Sequence, residues 1–577
     1  MVLTADERFW PDTGAVLFLG EWCKLYSRRA VWQAMDAATV PHPWHDFSRF
    51  SQDYAYLRGL YDRLLPALAE CLNRLHACQH DVRYWQILVG PWLATFLHVA
   101  FERWTVLSTA LTKWNVSDVA AGSFESLDHV PRHMNDFHDR VAGDAWNGFL
   151  FSSMLRYLSG AQKRMQQNLA PDTVCAQSMP PSRRGAFALN LVKFVGRMLG
   201  RRQDHFMIST YVPLERLVGI QLCLGQFPTR WQSPTSPVVA PEEGWRGWQV
   251  SFAAENQFEG FLVSMFHQQL PTVFCEGYAA LQSVVQQMPW PVAPSSIFTS
   301  NALWGDEVVM EYTASQVEKG ARLLYGQHGG LYGVGAFSWA EEHERSIADR
   351  YLTWGWSESP KQKFAPVGYF KRQLVRAGRK GKQTDLVLVC YDYPRYTHRL
   401  DSEAMVMLSG YLDNCLSFAE ALEGGARDEL LVRLTPREHG WFQESRWRDR
   451  FAMVRIDRGS RSMGQLMLDA RLLIYTYNST GLIEALVSNK PCVMFWDHSV
   501  SRLRGCAEPE FTALRSVGIL HESPESAARH VSRVWYDVAG WWDSVEVQSA
   551  VQMFSNRFCS EPSQASSNII KVFGAEQ

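Results

Sequence analysis

The sequence has no C-x-x-C pair among its eleven cysteines, and its formal net charge is only -2. It also has no run approaching the roughly 18 apolar residues that a membrane span needs. The scattered, odd-numbered cysteines argue against a zinc site or a disulfide frame, and for reduced thiols in a cytoplasmic protein. The small net charge supplies no basic field for nucleic acid. Residues 1–11 carry acids and no long apolar core, so no signal peptide is expected. Without a span or a signal, contact with the inner membrane would be peripheral. No internal repeat and no low-complexity tract interrupts the chain.

What is present is a chain of 577 residues, too long for one hydrophobic core, so two or more domains are expected. Apolar residues make up 46% and charged residues 20%, as in a globular protein. The 23 tryptophans suit a core, and an excess of them also suits surfaces that stack on sugars. Residues 14–20 read as a first strand. Apolar residues recur at helical spacing over 54–77 and again over 84–111, with a break expected at Gly90-Pro91. Residues 132–199 are mixed and mostly helical, 226–248 form an irregular insertion rich in Pro, Gly, Ser and Trp, and 253–287 return to helix.

From residue 295 the pattern becomes regular. Strands are expected at 296–299, 321–325 and 349–354, with a helix over 306–319 ended by Gly320. A basic, glycine-bearing stretch at 376–384 is the linker candidate. A second alternation follows, with strands at 386–390, 430–434, 453–456, 472–477 and 492–495. Strands alternating with helices imply parallel sheets covered on both faces, hence an α/β protein with two Rossmann-like domains and a helix-rich N-terminal part.

The organising stretch is Arg471 to Trp496, read as strand, turn, helix, strand. Asn478, Ser479 and Thr480 stand at the turn. A helix start with hydroxyls presents donors and partial positive charge, which suits a phosphate or diphosphate. An ordinary N-cap is the other reading. Five polar loops fall at strand ends: Ser300-Asn301, Gln327-His328, Tyr393 to Tyr396, Thr435 to His439 and Asn478 to Thr480. Ligands of open α/β sheets bind there.

Gly329 and Gly330 beside Gln327 and His328 let backbone approach a ligand closely. His328 is either a general acid/base, a donor to a leaving phosphate, or a turn histidine. Arg395, Arg433 and Arg437 offer forked donors for diphosphate or carboxylate. Asp306 and Glu307 open a helix beside Asn301, where they favour the helix dipole or act as catalytic carboxylates. Glu484, one turn into the phosphate-facing helix, can accept ribose hydroxyls. His133, Asp136, His138 and Asp139 have metal-like spacing without a defined pattern and read as a polar helix face, so neither a metal nor a cofactor is expected.

Several segments then carry a resemblance: Phe18 to Tyr26, Arg83 to Trp92, Gly326 to Gly333, Leu352 to Trp356, Pro394 to Tyr396 and Tyr477 to Thr480. From about residue 14 to 555 the chain resembles a bacterial family of surface-polysaccharide transferases from O-antigen and lipopolysaccharide clusters. More distantly it is similar to GT-B glycosyltransferases, among them the bacterial Kdo transferases, although Thr435-Pro436 stands where some of those have His-Pro. The resemblance implies a nucleotide-sugar donor, a CMP-sugar in the Kdo case, and a glycan or glycolipid acceptor. It implies an acceptor domain over 1–375, a nucleotide-sugar domain over 383–540 and a helical segment over 541–577 that packs back. An epimerase of the same architecture and a non-catalytic scaffold of an assembly complex are the rival readings.

Overall fold

The computed structural model describes all residues except 120–126, 160–203, 374–383, 398–399, 402–409, 499–500, 561 and 575–577. The expected linker at 376–384 lies outside the described residues but for its last position, and so does the part of 132–199 beyond 159.

A parallel pair, β1 (Val16–Phe18) and β2 (Ala37–Thr39), stands by itself near the N-terminus. Two larger parallel sheets follow. The first joins β3 (Phe206–Met207), β4 (Ser296–Thr299), β5 (Arg322–Gly326), β6 (Arg350–Thr353) and β7 (Phe364–Pro366) in that order. The second contains β8 (Asp385–Val389), β9 (Leu430–Arg433), β10 (Arg455–Asp457), β11 (Ala470–Tyr475), β12 (Cys492–Phe495) and β13 (Leu520–His521). Its spatial order is β10-β9-β8-β11-β12-β13. Counted along the sheet's own chain order this is 3-2-1-4-5-6, the doubly wound order, and its topological switch point lies between β8 and β11.

Strands β4 and β12 are buried throughout, because parallel sheets are covered on both faces. β3 and β7 were not expected from the sequence. β3 has two residues, too few for a pattern. β7 ends in Pro366 at the sheet edge, where a missing N–H costs nothing.

The N-terminal part is dominated by α1 (Phe47–Leu75) and α2 (Val82–Lys113). The break expected at Gly90-Pro91 does not occur. Proline inside a helix costs about 3 kcal/mol, but Trp85, Leu88, Trp92 and Phe96 are fully buried around it. Burial of one such side chain contributes about 1.5–3 kcal/mol, so packing outweighs the local preference. Next come α3 (Met134–Val141) and α4 (Asp144–Ser159). His133 caps α3 through the Asp136 N–H, and Asp136 pairs with Arg132 and Arg140. Among the described residues no group of His, Cys, Asp and Glu could hold a metal ion, and no helix is long and apolar enough to cross a membrane.

Around the sheets lie α5 (Glu307–Glu318), α6 (Trp339–Ile347), α7 (Thr480–Val487), α8 (Glu508–Ser516), α9 (Val545–Phe558) and α10 (Ala565–Gly574). After α9 the chain returns to the first sheet. The Ser560 N–H donates to Trp354 O at 2.8 Å, and the Tyr369 N–H donates to Ser560 O at 2.8 Å. One face of the second sheet, with Val387, Leu431 and Leu473, shares a continuous core with the first sheet and the N-terminal helices. The other face, with Leu386, Leu388 and Ile474, has its own core.

Arg504 ties the halves electrostatically. Its guanidinium reaches Glu341 at 2.8 Å and Glu358 at 2.8 Å, and its N–H donates to Val334 O at 2.8 Å. Glu341 is fully buried and also holds Arg345. Arg504→Met leaves buried carboxylate charge undercompensated and should lower stability by about 3–5 kcal/mol, towards the lower figure because Arg345 remains. Equilibrium denaturation checks this, and a loss below about 1 kcal/mol contradicts it.

Candidate active site

The switch point puts the carboxyl ends of β8 and β11 side by side, and α7 starts there. Ser479 is its N-cap, with Oγ accepting the Leu482 N–H at 3.1 Å. Thr480 Oγ1 accepts the Gly330 N–H at 3.0 Å, across from the other half of the molecule. A hydroxyl that accepts from a backbone N–H still has its own proton to donate. Both hydroxyls are therefore engaged yet able to bond an anion. Asn478 just before them is only 2% exposed, and neither atom of its amide has a hydrogen-bond partner among the described residues. Left without a ligand or a water to meet it, such a group costs about 1–3 kcal/mol.

The loop after β5 lies on this helix start. A Cβ at Gly330 would stand 2.6 Å from Ser479 O, so only glycine permits the approach. Gln327, expected to bind ligand, is instead the brace of the loop. Its Nε2 donates to Gly329 O at 3.0 Å, and its Oε1 accepts the Trp354 N–H at 2.9 Å and Trp356 Nε1–H at 2.8 Å. It is fully buried, and both ends of its amide are in use. His328 is the residue of this loop that keeps access, with a side chain 23% exposed. Its ring stacks on Tyr211 with centroids 6.0 Å apart and meets Tyr332 edge-on at 5.0 Å.

Tyr211 was not singled out in the sequence. It is 42% exposed, and its φ of 61° is left-handed, as is that of Ser209 at 49°. Strained backbone of this kind gathers at functional sites. Asn301 donates from Nδ2 to Tyr211 Oη at 2.8 Å and thereby orients the ring. Beside Tyr211 opens a cavity of about 560 Å³, lined among others by Ser209, Thr210, Trp231, Ser233 and Asp306. It lies at the carboxyl end of β3, and the irregular insertion supplies its far wall.

The two carboxylates differ. Asp306 caps α5 through the Val309 N–H at 3.2 Å and accepts from Ser233 Oγ at 2.6 Å, yet it faces the cavity. Burial raises its pKa above the ordinary carboxylate value. Glu307 does not join a catalytic group. It accepts the Met134 N–H at 2.6 Å and the Ser236 hydroxyl, so it ties α3 and the insertion to α5.

The arginines expected to clamp a diphosphate are committed elsewhere. Arg395 holds Asp144 at 2.8 Å and Trp22 O. Arg433 holds Asp457 and Arg461 O. Arg437 is exposed and pairs with Asp139 at 2.9 Å. Their partners are remote in sequence, so strand-end position alone does not reveal them. Glu484 is paired with Lys371 at 2.7 Å, and the Lys371 ammonium also lies 5.4 Å from the Tyr211 ring centroid. Two further acids belong to this region. Asp392, at the end of β8, accepts from Tyr393 N–H at 2.9 Å, and burial followed by repulsion from Glu438 pushes its carboxyl up to about 7. Glu344 lies fully buried behind His328. A pair of strand-end loops signals Asp392; nothing in the sequence signals Glu344, because its meaning comes from burial.

Gly330→Ala forces the loop and the helix start apart and should cost about 1–3 kcal/mol, as overpacking does. Gly329→Ala is the control, since its Cβ would meet only ring atoms of Tyr332 at 3.7 Å or beyond. Urea midpoints compare the two, and equal midpoints would show that the contact yields without cost.

A mutant O-GlcNAc transferase from Thermobaculum terrenum is 9% identical over 90% of this chain and 97% of that one, with a TM-score of 0.34. WaaG, a glycosyltransferase involved in lipopolysaccharide biosynthesis, is 11% identical over 64% of this chain and 99% of its own, with a TM-score of 0.34. Anabaena HepE in complex with UDP-glucose is 12% identical over 65% and 99%, with a TM-score of 0.37. No curated protein matches the chain in sequence. The family described as LIC12162 family transferase matches residues 1–573, nearly the whole length over which the two sheets and the site between them are built, and the chain belongs to that family.

Proposed function

We propose that the protein is a glycosyltransferase that moves a sugar from a nucleotide-sugar donor to a glycan or glycolipid acceptor. The observation that carries the reading is the meeting of the α7 start, with the partnerless amide of Asn478, and the His328 loop beside the cavity. Donor phosphates would lie at Asn478, Ser479 and Thr480, where the helix dipole and two hydroxyl protons face them. Glu484 would take ribose hydroxyls in exchange for Lys371. The acceptor would occupy the cavity, with a sugar ring against Tyr211 or Trp231.

In the transfer step the acceptor oxygen bonds to the anomeric carbon, and the bond from that carbon to the phosphate oxygen breaks. The acceptor proton passes to Asp306, whose raised pKa suits a base. His328 donates to the departing phosphate oxygen. Gln327, Glu307, Arg395, Arg433 and Arg437 have no part in this step and hold the frame. The resemblance supports an acceptor from surface-polysaccharide or lipopolysaccharide synthesis and a protein at the cytoplasmic side of the inner membrane; recovery in a salt-extractable fraction would agree, and recovery only in the periplasm would not.

A thermal-shift screen of CMP-, CDP-, UDP-, GDP- and TDP-sugars identifies the donor, since a ligand at 100 times its Kd adds about 2.7 kcal/mol to folded-state stability. Product analysis with donor alone then separates transfer from epimerisation, and a scaffold would show no turnover. Replacing Ser479 and Thr480 together by Ala should weaken donor binding by about 1–3 kcal/mol in a folded protein. Calorimetry showing unchanged affinity would remove the phosphate assignment. His328→Ala should lower turnover by about 10²–10⁴-fold with donor affinity little changed. Near-normal turnover at saturating donor would make His328 a turn residue.

A further inference from the structure

A short helix, Leu214–Cys223, follows β3 at the edge of the cavity described above. Its inner face is ordinary. Leu217, Ile220 and Gln221 are buried, and α10 packs against the helix. Gln221 Oε1 accepts the Thr229 N–H at 2.7 Å, so the one polar group on that face is satisfied. The outer face is unusual. Leu214, Val218 and Leu222 recur every four residues and share one side of the helix. Leu214 is 51% exposed and Leu222 59%, with Val218 partly exposed between them. Cys223 is exposed at the end of the helix, and Phe227 is exposed just past the turn at Gly225. Glu215 is the charged residue of this side, and Arg372 pairs with it at 3.2 Å. A surface helix ordinarily turns polar residues to water. Apolar side chains gathered outward in this way mark a contact surface.

Size, position and charge decide what covers it. Ten residues make a helix about 15 Å long and about 10 Å across, so the outer face offers about 150 Å². A stable protein interface takes about 800 Å² from each partner, so this face by itself does not hold a second copy of the chain. A bilayer sets no such threshold, because each apolar side chain that enters the hydrocarbon boundary adds its own transfer free energy. The position agrees: Tyr211, Leu214 and Leu217 line the cavity, so the stripe starts where the cavity opens. Arg230 lines the same cavity and is exposed, and Arg372 stands beside Glu215. Guanidinium groups in these places suit the phosphates of lipid headgroups.

We infer that the outer face of this helix is a lipid-contact surface. Leu214, Val218 and Leu222 enter the boundary between headgroups and acyl chains of an anionic bilayer, with Arg230 and Arg372 at its phosphates. The inference rests on the reading of the cavity as the acceptor site, and it adds the partner that this site faces. An acceptor held in the same leaflet by its own lipid then brings its sugar to the cavity without leaving the surface. The contact is shallow and reversible, since one face of a three-turn helix buries too little apolar area for permanent anchoring.

Co-sedimentation of the full chain with vesicles of phosphatidylethanolamine and phosphatidylglycerol tests this. Leu222 is the residue to change, because it lies on the stripe and does not line the cavity. Leu222→Glu should weaken vesicle binding by about tenfold or more, as one leucine side chain no longer leaves water and an anion takes its place. Leu222→Met should retain binding. Met453→Glu is the control for charge alone: Met453 is exposed just before β10, at the edge of the other sheet, and this change should leave binding as it is. Both sites are exposed, so neither glutamate disturbs the core. Failure of the unaltered protein to bind vesicles, or an equal loss in the two glutamate variants, overturns the inference. So does a dimer in sedimentation velocity that Leu222→Glu converts to monomer, which would give the face to a second copy. These measurements need no donor. Vesicle binding through Leu222 in a protein that transfers no sugar would keep the surface and discard the reaction. Transfer to a water-soluble acceptor by a protein that ignores vesicles would keep the reaction and discard the surface.

Discussion

The close approach of Gly330 to the first residues of α7 is the contact on which the rest of the site depends. It exists because residue 330 has no side chain: the place of a Cβ is 2.6 Å from Ser479 O. The N–H of Gly330 then meets Thr480 Oγ1 at 3.0 Å, so a loop of one sheet finishes the helix start of the other. Every other candidate group is placed relative to that meeting. Gln327 braces the loop from below, His328 extends from it to stack on Tyr211 at the cavity's edge, and Asn478 is shut in beside it. A site shared in this way acts only when both sheets are in register with each other, which gives the shared core of Val387, Leu431 and Leu473 a functional meaning.

Buried charge does the aligning. Arg504 with Glu341 and Glu358, Arg395 with Asp144, and Arg103 with Thr397 O join segments far apart in the chain. Apolar burial alone tolerates sliding, since it has little directional preference. A forked guanidinium between oxygens does not, because its donors have fixed directions. The relation of the halves is thus fixed by a few arginines acting on top of the apolar core the halves share.

Much of the fold was legible in the sequence, and for one reason. Parallel strands buried on both faces leave short apolar runs, and 296–299, 386–390, 430–434, 472–477 and 492–495 all coincide with or overlap strands of the two sheets. The helix start at Ser479 was legible from its cap. The unbroken α2 was not, because Pro91 is tolerated only by virtue of what surrounds it. The site was legible as loops but not as roles. His328, Asp306, Asn478, Ser479 and Thr480 do border the meeting of the halves or its cavity. Arg395, Arg433 and Gln327 looked equally available and are consumed by partners that no local pattern reveals. Glu344 and Tyr211 went unnoticed because burial and backbone strain, not spacing, distinguish them.

The return of the chain at Ser560 also orders events in time. Its backbone is bonded between Trp354 O and the Tyr369 N–H, so the end of β6 and the segment after β7 are bridged by a residue made about 200 positions later. At ribosomal rates of about 5–20 residues per second, those positions take about 10–40 s to synthesise. The first sheet emerges complete in its strands but lacks this clasp for that interval, and the second sheet is built meanwhile against a partner still open at one corner. Nascent chains of this protein therefore lack the Ser560 clasp at the 354–369 corner throughout that interval.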